Sequence, residues 1–109
     1  MTDGKPEEQA ASFSIGQVGH HKLFDYRGVI FDVDPVFIGS DEWYEQNSKT
    51  RSPRDKPWYH VLVHDTASAT YVAERNLEPD DSTDSVRHPL LDQVLRDHGG
   101  RYQSKDRTN

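Results

Sequence analysis

The sequence predicts a mainly β domain, a small and strongly bent barrel with a short helix in one inter-strand loop and one helix near the C-terminal end. Three observations predict it. Two strand-like runs, Tyr26 to Pro35 and Pro57 to Asp65, carry ten of the apolar residues a small barrel could use; the connections are short and rich in Gly and Asp; and a single one-sided helical stripe lies near the end of the chain.

The elements follow in order. Residues 1–12 and 99–109 are polar and without periodicity, so both read as disordered tails around a domain at 13–98. A first short strand is expected near Phe13 to His20, where Ile15 and Val18 are the apolar residues and Gly16 and Gly19 mark a turn or bulge. From Tyr26 to Asp34, strict alternation places Val29, Phe31 and Val33 on one face and Ile30, Asp32 and Asp34 on the other, until Pro35 ends the strand. Gly39-Ser40-Asp41-Glu42 supplies an N-cap and first-turn acids for a short helix carrying Trp43 and Tyr44. Asn47 to Lys56 then reads as an exposed basic loop. In the strand Trp58 to His64, Tyr59, Val61 and Val63 oppose Trp58, His60, Leu62 and His64; in Ala69 to Ala73, Thr70 and Val72 oppose Tyr71. After an Asp-rich turn, Pro89 opens a helix of about ten residues whose stripe is Leu90, Leu91, Val94 and Leu95, with Gly99 to end it.

Composition narrows the function classes. The chain has 109 residues, 32% of them hydrophobic, and a mean hydropathy of −0.96, so its core is small and a symmetric oligomer would help to cover it. It has no cysteine, which removes disulfides, thiolate metal sites and a cysteine nucleophile. No apolar run approaches the ~20 residues of a membrane span, and residues 1–11 lack a signal-peptide plan, so a soluble cytoplasmic protein is expected. The net charge of −6 belongs to residues 13–98, with nine Lys or Arg against fifteen Asp or Glu. Such a domain is a poor non-specific ligand for DNA. One stretch runs the other way: Lys49, Arg51, Arg54 and Lys56 against Asp55 give a local +3, enough for three or four phosphate contacts and a salt slope of only about −3 to −4.

Catalytic and metal signatures are weak. His60 and His64 are four residues apart in a strand, roughly 13 Å, too far to share an ion, and His20 and His21 point to opposite faces. Asp32 and Asp34 share a face about 6.5 Å apart, a spacing that suits a bridging cation or an acid–base pair, yet no third carboxylate or phosphate-binding glycine loop accompanies them. No enzyme, metal or cofactor is expected. The aromatic set Trp43, Tyr44, Trp58, Tyr59 and Tyr71 is the better candidate: these rings either close the core or leave one or two exposed as an anchor for a protein partner. They also offer stacking surfaces for an unpaired base, with Lys49, Arg51, Arg54 and Lys56 holding phosphates.

From about Phe13 to Leu95 the chain resembles the HspQ or YccV-like family, also called the hemimethylated DNA-binding domain family. The likeness rests on Ile15-Gly16-Gln17, His20, Tyr26-Arg27-Gly28-Val29-Ile30, Asp32-Val33-Asp34-Pro35, Trp43-Tyr44, Pro57-Trp58-Tyr59-His60-Val61, Tyr71-Val72-Ala73-Glu74, Asn76-Leu77 and His88-Pro89. Gly19 departs from it, standing where family members typically carry an aliphatic residue. The resemblance implies an SH3-like or Tudor-like barrel without enzymatic activity and a heat-shock role as an oligomeric factor, a trimer in homologues, that modulates the ATP-dependent Lon protease and promotes degradation of selected or damaged proteins. It also implies, as an alternative, binding of hemimethylated origin DNA with an effect on DnaA levels. A related domain in some F-box proteins again points to selecting proteins for destruction.

Overall fold

The computed structural model describes residues 11–48, 50–82 and 84–97. Lys49 and most of both expected tails lie outside them. The strands are β1 (Val18–His21), β2 (Arg27–Asp34), β3 (Trp58–Val63), β4 (Ala69–Ala73) and β5 (Leu77–Pro79), and the helices are α1 (Asp41–Asn47) and α2 (Leu91–Asp97). The strands form one sheet in the order β4-β3-β2-β1-β5, with every neighbouring pair antiparallel.

The alternation expected of β3 holds and organises the core, because this strand is buried on both faces. Tyr59 and Val61 pack inward with Phe13, Ile30, Val72 and Leu77. On the outer face, Leu62 joins Val29, Val86 and Leu91 at one end, while Trp58 joins Tyr44 and Ala73 at the other. α2 covers the first outer cluster and α1 the second. The strict alternation expected of β2 fails. Its register against β3 slips between Ile30 and Asp32, leaving Phe31 as an extra residue, so Val33 falls on the side of Ile30 and packs into the inner core. A bulge of this kind reverses the phase of every later side chain. Asp32 and Asp34 therefore sit opposite His60 and Trp58 on the outer face.

The sheet is mainly β as expected, but it does not close into a barrel, since β4 and β5 are its two unpaired edges. A three-residue 3-10 turn, Glu74–Asn76, carries the chain from one edge to the other. β5 is only three residues long, pairs with β1, and ends in Pro79, which has no N–H to donate. Among the other expectations, the turn at Gly16 occurs with φ 93, β4 has the predicted bounds, and Ser40 caps α1. Three need correction. The basic loop is anchored rather than wholly exposed, with Ser48 and Ser52 buried. α2 begins at Leu91 rather than at Pro89, and the expected end at Gly99 lies outside the described residues. Leu90 precedes that helix and is exposed, because only Leu91 and Val94 of the described stripe reach the outer core.

Candidate functional site

The site is built where α1 crosses the outer face of the sheet. Ser40 Oγ accepts the Trp43 N–H at 3.0 Å, and Asp41 and Glu42 follow in the first turn, where the helix dipole favours acids. Successive helical residues diverge by about 100°, so Trp43 and Tyr44 face different surroundings. Tyr44 goes into the core and donates from its hydroxyl to the Ser52 carbonyl at 2.6 Å; Trp58 donates from Nε1 to the Pro53 carbonyl at 2.9 Å. These two bonds tie the loop to the aromatic cluster. Phe37, a residue the sequence reading passed over, lies at its centre, with ring centroids of Trp43, Tyr44, Trp58 and Tyr71 all within 5.8 Å.

Burial divides the five aromatic candidates. Tyr44, Trp58 and Tyr59 are 5%, 2% and 0% exposed, so they act as core, while Trp43 and Tyr71 keep a partial surface. Tyr59 is not part of this cluster. It belongs to the inner core, and its hydroxyl accepts the Ser12 and Phe13 N–H groups and donates to Glu74 at 2.5 Å. Burial, helped by Glu74, holds the Tyr59 phenol well above its ordinary range.

Trp43 and Tyr71 line a groove of about 540 Å³ that runs along β4 to the turn between β1 and β2, where Leu23 and Phe24 project. Phe24 is 68% exposed. On the other side of Tyr71 a shallower depression is lined by Ile38, Trp43, His60 and Asp34, and Ile38 is 65% exposed. Tyr71 is fixed between the two: its hydroxyl donates to Asp34 Oδ2 at 2.7 Å and accepts the Ile38 N–H at 3.1 Å. Its phenol is pushed upward by burial and then by the Asp34 carboxylate that takes its proton in a hydrogen bond. His60 Nε2 lies 3.0 Å from the same Asp34 oxygen. The bulge in β2 thus brings Asp32, Asp34 and His60 together, with one donor atom from each within 4.8 Å of the others. Sequence spacing had joined only the two aspartates. Tyr71 and His60 both hydrogen-bond to Asp34 while Asp32 accepts the Val33 N–H, so this grouping positions Tyr71.

The two arginines of the basic loop are engaged within the chain. Arg51 pairs with Glu45 at 2.7 Å and lies over the Tyr44 ring; Arg54 pairs with Asp41 at 2.5 Å and lies over Phe37 and Tyr44. The Glu45 hydrogen bond raises the Arg51 pKa further. Lys56 is half-buried and makes no ion pair among the described residues. The five described histidines are all hydrogen-bonded. His20 bridges Asp25 and Glu78, His21 accepts the N–H groups of Leu23 and Phe24, His64 accepts from Arg87, and His88 meets the Ser68 carbonyl.

A family model described as hemimethylated DNA-binding protein YccV like matches residues 11–101. The chain belongs to the YccV-like family. In this YccV-like domain, the stretch Tyr26 to Ile30 leads into and forms the first half of β2, Pro57 to Val61 forms the first part of β3, and Tyr71 to Leu77 runs from β4 through the 3-10 turn into β5. The residues carrying the likeness are therefore mostly sheet and core. No helix among the described residues is long and apolar enough to cross a membrane.

Proposed function

We propose that this YccV-like protein is a non-enzymatic, cytoplasmic, oligomeric adaptor of the ATP-dependent Lon protease, acting in the degradation of selected or damaged proteins. The Lon assignment and the trimeric state draw on the family resemblance, as does the SH3-like relationship of the sheet. What supports a protein-binding role on this chain is the groove beside β4 and the adjoining depression, where Trp43, Tyr71, Leu23, Phe24 and Ile38 offer accessible apolar surface on a domain of negative charge. Aromatic side chains at a concave, partly desolvated surface are the usual energetic centres of protein interfaces.

Binding of hemimethylated DNA, with an effect on DnaA levels, is the second reading, and the family's description favours it. Against it, Arg51 and Arg54 would have to exchange their partners in α1 for phosphates, which weakens their share of any counterion release. The two readings separate in one experiment. Trp43→Ala is expected to abolish stimulation of Lon-dependent degradation, whereas Arg51→Glu with Arg54→Glu leaves it intact. Loss of stimulation in the arginine variant alone, together with loss of DNA binding, would favour the second reading.

A further inference from the structure

We propose that the free edge of β4 takes up an extended peptide as an additional antiparallel strand, bonded to the main chain of Ala69 and Tyr71. The peptide is an unfolded segment with alternating apolar side chains and basic flanks. Such a segment is a degradation client only if the adaptor reading above holds, but the pairing itself does not depend on Lon.

The phase of the β3–β4 ladder determines which groups are available. Val63 N–H donates to the Ser68 carbonyl at 3.1 Å and Glu74 N–H to the Pro57 carbonyl at 3.0 Å, and the register pairs Val61 with Thr70 and Tyr59 with Val72. Residues alternate in an antiparallel ladder, so Ser68, Thr70, Val72 and Glu74 bond to β3 while Ala69, Tyr71 and Ala73 turn their N–H and C=O groups outward. Among the described residues, the main chains of Ala69 and Tyr71 have no other partner. Ala73 is buried, so the accessible edge is the first part of the strand.

Proteins usually blunt such an edge with charge, proline or a very short strand. β5 does so, with three residues that include Glu78 and Pro79. β4, reading Ala-Thr-Tyr-Val-Ala, has none of these devices. Apolar seats flank it instead. Side chains of an added strand alternate between its two faces; one set meets Leu23, Phe24 and Tyr26, the other Ile38, Trp43 and Tyr71. The surrounding charge selects the flanks. Asp32 and Asp34 lie beside one depression and Glu74 follows the strand, while Arg75 is held by the Thr50 carbonyl and Lys22 and Asp25 offset each other around Leu23 and Phe24. Lysine or arginine at the peptide ends complements that distribution.

The test uses the full chain and a labelled heptapeptide of alternating valine or phenylalanine and threonine with lysine at each end. Saturating peptide is expected to slow amide exchange at Ala69 and Tyr71 at least ten-fold while leaving Thr70 and Val72, already bonded to β3, unchanged. Ala69→Pro removes an outward N–H without touching the ladder and is expected to weaken binding roughly five- to ten-fold. N-methylation of alternate peptide amides gives the same information should that variant fold poorly: one phase abolishes binding and the other does not. Equal binding of both methylated phases, or no new protection at Ala69 and Tyr71, overturns the proposal. Protection of these amides in the peptide-free protein also overturns it, because a second copy would then occupy the edge. Lon stimulation without edge protection refutes the pairing alone, and edge protection without Lon stimulation refutes the adaptor reading alone.

Discussion

Two glycines face each other across β1 and β2, Gly19 opposite Gly28, and their replacement by alanine is predicted to have opposite effects. Neither has a positive φ, so space decides. A Cβ on Gly28 would stand 2.4 Å from the Leu62 carbonyl oxygen and 2.6 Å from Val61 Cγ1. Leu62 is held by Val29 on one side and Ala69 on the other, so β3 has no direction in which to retreat. Gly28→Ala is expected to cost about 3 kcal/mol, the upper part of the usual range for overpacking and a large share of the ~5–15 kcal/mol that holds a domain together. At Gly19 the nearest atoms would be Leu77 Cδ2 at 3.5 Å and the Glu78 carbonyl oxygen at 3.6 Å, ordinary contacts. Gly19→Ala is expected to stabilise by about 0.5–1 kcal/mol, through lower unfolded-chain entropy and an added methyl contact. Urea unfolding with a common m-value measures both. Wild-type stability in Gly28→Ala, or a loss of more than about 1 kcal/mol in Gly19→Ala, would refute the strand packing described here.

Trp58→Ala is expected to cost about 3–5 kcal/mol because that ring is 2% exposed at the base of the cluster, while the partly exposed Trp43→Ala keeps the fold; urea titration separates them. Tyr71→Phe removes both the donor to Asp34 and the acceptor for Ile38 N–H, an expected loss of about 1–3 kcal/mol with a lowered Tm. Hydrogen bonds to Asp25 and then Glu78 raise the His20 pKa above 6.5, so its stabilising contribution is complete below about 6.5 and is lost as pH rises through the higher folded-state value. Glu78→Gln should bring the His20 NMR titration back toward 6.5, and a wild-type midpoint at or below 6.5 would contradict the bridge. His21 behaves in the opposite sense: burial lowers its pKa, so its neutral form supports the fold and stability falls as pH drops below 6.5 toward the folded-state value.

What the sequence revealed was mostly what local pattern decides. β3 was legible because its alternation persists over the whole strand, and α1 because Ser40 and two acids sit at its start. The phase of β2 was hidden, since the bulge at Phe31 is a property of pairing with β3 and leaves no glycine or proline behind. β5 was hidden because a run of Leu, Glu and Pro has no strand pattern and exists only as a partner of β1. In the site, Trp43 and Tyr71 stood among the aromatic candidates, but their separation from buried Tyr44, Trp58 and Tyr59 required tertiary packing. Phe37 and Ile38 lie between Pro35 and the helix cap, outside any periodic element; the signal was an aromatic within one helical turn's reach of the Trp43 helix. The ion pairs of the basic loop were hidden for a similar reason. Arg51 and Arg54 meet Glu45 and Asp41 six and thirteen residues away, spacings that no helical rule connects.

Service to proteolysis through a protein-binding groove is the role proposed for this YccV-like domain. Its most direct test is degradation of a model Lon substrate with and without the protein, run beside binding to fully methylated and hemimethylated duplexes at physiological salt. Faster or redirected proteolysis that Trp43→Ala abolishes, with no duplex bound, is the predicted result. Binding that depends on methylation, with no effect on Lon, would contradict it.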